Sequence, residues 1–144
     1  MTPTQIELVQ TSFLKVAEIQ EKAAELFYTN LFELDGDLRK LFKEDMNEQK
    51  RKLMKSLAYI VNGLDRLESR RSYIEGLGKV HVGYGVGPED YDTVGKALLS
   101  TLEAAFGEDW TPDLADAWAA AYGGLAGLMI GVGYPESGSA QRAS

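Results

Sequence analysis

Leu77-Gly78-Lys79-Val80-His81-Val82-Gly83-Tyr84-Gly85-Val86-Gly87-Pro88-Glu89-Asp90-Tyr91 contains the only histidine in a chain of 144 residues that has no cysteine. A helical run closes on His81, Gly83 and Gly85 interrupt it, and Gly87-Pro88-Glu89 opens the next helix with proline in the first turn. If the chain binds a transition metal, His81 is therefore the obvious soft ligand. Carboxylates suit hard cations, and a zinc site needs three or four His, Cys or carboxylate ligands, so a single imidazole cannot complete one. A porphyrin changes that count, because it brings four equatorial nitrogens and asks the protein for one axial ligand. A lone histidine at a helix end is more often solvated or internally satisfied. It is nonetheless compatible with haem, and the helix–glycine–helix setting strengthens that reading.

Composition narrows the partners. A chain of this length suggests one domain with room for a core and a buried ligand. The net charge of −7 argues against nucleic acid and against an anionic membrane, both of which reward clustered Lys and Arg. The first residues, Met1-Thr2-Pro3-Thr4-Gln5-Ile6-Glu7, lack the basic and apolar regions of a signal peptide, so the expected location is the cytoplasm. Residues 118–135 carry no charge, yet they include five glycines and are near the lower length for a span. The other helices are amphipathic and would lose their partner if this segment left, so it reads as a buried central helix.

The rest of the chain has helical periodicity. Thr2-Pro3-Thr4-Gln5 supplies a cap, a first-turn proline and a glutamine three positions after the cap. Ile6, Val9, Phe13, Val16 and Ala17 follow at helical spacing. Ala23, Ala24, Phe27, Tyr28, Leu31 and Phe32 continue to about Glu33, before Asp35-Gly36-Asp37 breaks the run. Leu38-Arg39-Lys40-Leu41-Phe42 makes a turn or two of helix, and Lys43-Glu44-Asp45-Met46-Asn47 is polar enough for a loop. From Glu48, Leu53, Leu57, Ile60, Val61 and Leu64 recur at three- and four-residue steps, with Gln49 and Lys52 on or beside that face. Residues 67–72 read as a charged connection, and Tyr73, Ile74, Leu77, Val80 and His81 as the next helix.

Tyr91, Val94, Leu98, Leu102 and Phe106 form another stripe, ended by Gly107. Thr111-Pro112 starts the last helix, with an inner face of Leu114, Trp118, Ala121, Tyr122, Leu125, Met129 and Val132. No run alternates with a period of two, so the fold class is all-α. Gly123, Gly127 and Gly131 predict close approach of another backbone, a neighbouring helix in preference to a dimer partner. The domain covers residues 1–133, and residues 134–144 read as a disordered tail.

His81-Val82-Gly83-Tyr84-Gly85-Val86, followed by Pro88-Glu89-Asp90-Tyr91, resembles the junction after the proximal-histidine helix of single-domain bacterial globins, relatives of flavohaemoglobin haem domains. Phe27-Tyr28-Thr29-Asn30-Leu31-Phe32, Leu41-Phe42, Gln49-Lys50-Arg51-Lys52-Leu53-Met54, and Asp116-Ala117-Trp118 through Tyr122-Gly123 resemble the same family in order and separation. Each motif is loose, but five in register are specific, and together they span about residues 4 to 133. The resemblance implies a globin fold, helices in a three-over-three sandwich around haem b. With no cysteine for thioether attachment, the haem would be held non-covalently.

That resemblance also implies roles. His81 is the axial ligand, its other ring nitrogen held by an acceptor, for which the Leu77 carbonyl four residues earlier is the candidate. Phe42 packs on the porphyrin, and Tyr84 and Val86 contact it from the loop after His81. Gln49 stands where many globins have a distal histidine, with Leu53 one turn on, over the iron, and Tyr28 and Gln49 donate hydrogen bonds to bound O2. Lys52 either reaches a haem propionate or is an exposed lysine on an amphipathic helix. Tyr91 either holds the proximal ring through its hydroxyl or is a core aromatic. Relatives complete the Tyr91 contact with a glutamate where Gly133 aligns here. That departure argues against peroxidase-like or dioxygenase chemistry driven from the proximal side.

The expected function is reversible binding of O2, with NO and CO, at His-ligated iron, for oxygen transport or NO scavenging, as a monomer or a homodimer. NO dioxygenase activity would need a separate reductase, because the sequence ends without a flavin or nicotinamide domain. The alternative is a non-haem sensor or interaction module on a globin-like scaffold. It has no evident use for His81, Tyr28 and Gln49 together.

Overall fold

Thr2 opens the first helix. Its hydroxyl accepts from the Gln5 backbone N–H at 3.1 Å while the Gln5 side chain accepts from the Thr2 N–H at 3.0 Å, a capping box ahead of Pro3. The computed structural model describes residues 1–42 and 45–134, and every regular element among them is helical. The α-helices are α1 (Pro3–Glu18), α2 (Gln20–Leu34), α3 (Met46–Asn62), α4 (Arg71–Gly83), α5 (Asp90–Phe106) and α6 (Pro112–Gly133). Tight 3₁₀ turns occupy Gly36–Leu41, Leu64–Arg70 and Gly107–Asp109. The tail expected over residues 134–144 lies outside the described residues from 135 onward.

Three helix starts differ from the sequence expectation. Asp45 accepts from the Asn47 N–H at 3.0 Å, so α3 begins at Met46, inside the stretch read as a loop; Lys43 and Glu44 lie outside the described residues. The connection read over residues 67–72 is a 3₁₀ turn that passes into α4 at Arg71. Pro88 precedes α5 instead of entering it, because the Asp90 carboxylate takes the Gly87 N–H at 2.8 Å and fixes the start at Asp90.

α6 packs on α1, α4 and α5. α2 packs on α5 and α3, and α1 also meets α3. Burial of Val9, Phe13, Val16, Met54, Leu102 and Trp118 forms the main core. Polar groups within it are satisfied: the Trp118 indole donates to Ser12 at 2.9 Å, and the buried Thr101 hydroxyl donates to the Ala97 carbonyl at 2.7 Å and accepts from Asn30 at 3.2 Å.

α6 buries Leu114, Ala117, Trp118, Ala126 and Met129, but its glycines behave differently from the sequence reading. Gly123, Gly127 and Gly131 are exposed, with open space where a Cβ would stand. Backbones approach closely elsewhere on the helix pair: a Cβ on Gly78 of α4 would lie 2.8 Å from the Met129 carbonyl oxygen and 3.0 Å from its Cα. Since that neighbour is backbone, it cannot swing aside, and α4 would have to lift off α6.

Gly78→Ala should therefore destabilise the fold by about 1 to 3 kcal/mol despite its better helix propensity. Gly127→Ala, with nothing to strike, should gain up to about 1 kcal/mol. Urea midpoints of the two variants test this. Equal shifts in one direction would contradict the packing described.

Candidate ligand-binding crevice

His81 sits in the last turn of α4, on a helix fixed against α6 by buried Ile74 and Gly78. Its Nδ1 is 2.6 Å from the Leu77 carbonyl oxygen, one turn back. A carbonyl only accepts, so Nδ1 is the donor, and in the neutral imidazole Nε2 keeps a lone pair. No described residue bonds Nε2. Around the half-buried ring the side chains are apolar and open: Val80 is 47% and Tyr84 53% exposed, and Leu77 and Val86 are half-buried.

The loop after α4 turns back through Gly85, whose φ of 91° is a conformation glycine adopts without strain. Its Cβ position lies 3.4 Å from Leu41, so this loop meets the turn that leads to Phe42. Tyr91, at the start of α5, is buried, and its ring centre is 6.4 Å from that of His81 without a hydrogen bond between them among the described contacts. Burial raises the Tyr91 pKa above the ordinary phenol value, and nearby Tyr134 adds to the shift. The Tyr122 hydroxyl donates to the Tyr91 carbonyl at 2.6 Å, and the Tyr134 hydroxyl donates to the Val86 carbonyl. Tyr134 was missed in the sequence because it follows the last helix and was grouped with the tail. A Cβ at Gly133 would lie 2.6 Å from Val82 Cγ2, so a larger residue there would require the Val82 side chain to shift.

The second set of residues comes from α2, the Gly36–Leu41 turn and α3. The Tyr28 ring packs edge-on against Phe27 at 5.0 Å and Phe42 at 5.4 Å, and Phe32 meets Phe42 at 5.5 Å. Leu53, Leu98 and Phe42 pack against this cluster of Phe27, Tyr28, Leu31, Leu38 and Ala97. Burial pushes the Tyr28 phenol up to about 12, partly offset by hydrogen bonding from the Gln49 side chain. Tyr28 is thus a neutral donor at ordinary pH, next to an amide that can also donate. Lys52 is exposed.

Gln49, Leu53, Ser56 and Ile60 share one face of α3 by helical spacing. α3 packs on α1 and α2, whereas α4 packs on α6, and the two are joined in sequence by the Leu64–Arg70 turn. A direct polar link between them is the 3.0 Å contact of Ser56 Oγ with the Tyr73 hydroxyl, which nothing in the sequence spacing signalled. The structure therefore sets a histidine with an available Nε2 on α4 and a phenol–amide pair on the α2–α3 side. Among the described residues no group of three or more His, Cys, Asp or Glu could hold a metal ion. A single imidazole with apolar flanks fits a ligand that brings its own equatorial donors, which is how a porphyrin binds iron.

Comparison with known proteins gives a coherent result. The Globin family profile matches residues 25–129. The flavohemoprotein of Bordetella pertussis is 34% identical over 134 residues, covering 91% of this chain and 33% of that protein. The chain thus spans about a third of the length of the relatives it matches. Among solved structures, a bacterial globin from Campylobacter jejuni superposes with a TM-score of 0.81 at 24% identity over 93% of this chain and 97% of that one. An engineered carbene transferase from Rhodothermus marinus, whose parent is assigned as a nitric oxide dioxygenase, superposes with a TM-score of 0.85 at 24% identity over 100% and 99%. The arrangement of helices is that of the globin fold.

The Tyr28 environment predicts a pH effect. Its phenol ionises near 10.0 when unfolded and at about 12 when folded, so the folded state keeps the proton longer. The stability this contributes is whole below pH 10.0 and is lost as pH rises toward 12. Tyr28→Phe should make the alkaline loss of stability shallower across that window and remove one late phenol from a tyrosinate absorbance titration. Superimposable profiles for the variant and the parent would contradict the buried, neutral Tyr28.

Proposed function

This chain belongs to the globin family, and from that premise we propose that it holds one haem b through His81 and binds O2, with NO and CO as further ligands. The observation that carries the reading is the 2.6 Å contact of His81 Nδ1 with the Leu77 carbonyl. It commits Nδ1 as donor, so that in the neutral imidazole Nε2 offers the lone pair a metal accepts. A haem bound there would supply a ferrous iron with one position open to a diatomic gas.

The chain's own residues then divide the work. Leu77, Tyr84, Val86, Leu53 and Phe42 would shield the ring from water, and Lys52 would reach a propionate. Tyr91 would bound the proximal side as a ring tilted beside His81. Tyr28 and Gln49 would meet partial negative charge on the distal side with two donors. The phenol is the stronger donor, being more acidic and held between Phe27 and Phe42. Such a site suits oxygen binding and transport or NO scavenging. Turnover as an NO dioxygenase would require electrons from a reductase, which the flavohemoprotein relatives' greater length and name suggest as a partner. Gly133 supplies no carboxylate that would sharpen proximal basicity.

Titration of the purified protein with haem should produce a Soret band at one equivalent, and His81→Ala should lose the axial-ligand signature and the added thermal stability that binding gives. An unchanged spectrum in His81→Ala would sink the proposal. A neutral distal hydrogen bond is worth about 1 to 2 kcal/mol net, so Tyr28→Phe should speed O2 release roughly tenfold. Gln49→Leu should do less, and CO release should hardly change in either variant. Stopped-flow measurement of both gases checks this. Unaltered O2 release in both variants would remove the distal donors from the account.

A further inference from the structure

Residues 50–71, most of α3 and the turn after it, carry seven basic and two acidic side chains, whereas the rest of the chain carries eight basic and twenty acidic. Within a chain of net charge −7 this segment is locally basic. Arg51, Lys55 and Tyr59 follow at four-residue steps on the exposed side of α3. Arg51 and Lys55 make no ion pair among the described residues, while Arg66 and Arg71 are partly neutralised by Asp65, Glu68 and Glu75.

Beside these charges lies a fixed aromatic pair. The Tyr59 and Tyr73 rings meet edge-on with centres 4.7 Å apart, and both remain about two-fifths exposed, at 41% and 39%. The Arg70 guanidinium covers Tyr59 at 4.3 Å from the ring centre, and its Nε donates to the Tyr59 carbonyl at 3.3 Å. Basic residues alone would make an ordinary solvated helix face. Rigid, half-exposed Tyr with Arg is instead the composition of protein–protein hot spots, where anchoring costs little side-chain entropy. The patch also borders the crevice, since Tyr73 reaches Ser56, which shares its α3 face with Gln49 and Leu53.

We infer that this face docks an acidic electron-donor protein of the flavin or iron–sulfur class. The charge asymmetry favours a compact acidic protein, because a nucleic acid or a bilayer would also confront the acidic remainder of the surface. The inference rests on the haem reading. The donor loses one electron, ferric haem iron is reduced to ferrous, and the face lies only about 10 Å, one helix diameter, from the crevice.

Oxidised flavodoxin, a small acidic flavoprotein, is the probe for binding by calorimetry, and reduced flavodoxin the probe for reduction of the ferric protein. At low salt, Arg51→Glu/Lys55→Glu should weaken binding and slow reduction by about tenfold or more. Lys22→Glu/Lys96→Glu, which changes the net charge equally elsewhere on the surface, should leave both nearly unchanged. Reduction by a neutral photoreduced flavin should be the same in all three proteins, and added salt should abolish the difference between the pairs. Equal losses from the two double variants, or tighter binding of duplex DNA or anionic vesicles than of flavodoxin to this face, would overturn the inference. Calorimetric binding is read without haem. A missing Soret band would therefore sink the haem reading, and a missing face dependence this inference, each independently.

Discussion

The contact between His81 Nδ1 and the Leu77 carbonyl is the interaction on which the rest of the account depends. Leu77 lies inside α4, where its carbonyl also serves the helix ladder, and an imidazole one turn later takes the second lone pair of that oxygen. That local bond decides the tautomer, and the tautomer decides which nitrogen looks outward. It acts only because α4 cannot rotate: Ile74 is buried, and Gly78 lets the helix backbone settle directly on Met129 of α6. A core contact and a ring orientation are thus one constraint.

The opposite wall is built by different means. Tyr28 meets Phe27 and Phe42 edge to face, as Phe32 meets Phe42, so the phenol is positioned by aromatic packing and its charge state by burial. α3 brings Gln49 to that phenol and presents Leu53 alongside, while its outer side carries the basic residues. One helix therefore separates an apolar, donor-lined interior from a charged exterior. α3 and α4 each pack mainly on other helices, and a direct polar link between them is the Ser56–Tyr73 contact.

Much of this was legible in the sequence. The apolar stripes at three- and four-residue steps predicted the helices, and Thr2, Thr111 and Gly107 marked ends that the caps bear out. The starts at Met46, Arg71 and Asp90 were misjudged because each depends on a local contest, an Asp side chain or a 3₁₀ turn, that charge content does not reveal. Gly123, Gly127 and Gly131 misled for another reason: spacing gives a face but not which face meets a neighbour, and the close approach fell at Gly78 and Gly133. The site was legible as residue types in order. What brought Tyr134 to Val86 and Tyr73 to Ser56 is tertiary, set by where α6 ends and how the Leu64–Arg70 turn folds back, and no spacing rule reports it.

With one histidine in the chain, labelling every histidine with nitrogen-15 labels one residue. Resonance Raman spectra of the haem-loaded ferrous protein, with and without that label, test the central claim most directly. The account predicts a five-coordinate ferrous spectrum with a single iron–histidine stretching band that shifts on labelling. A spectrum without a label-sensitive band, or a six-coordinate low-spin ferrous form, would show that His81 Nε2 is not the sole protein ligand and would contradict the account.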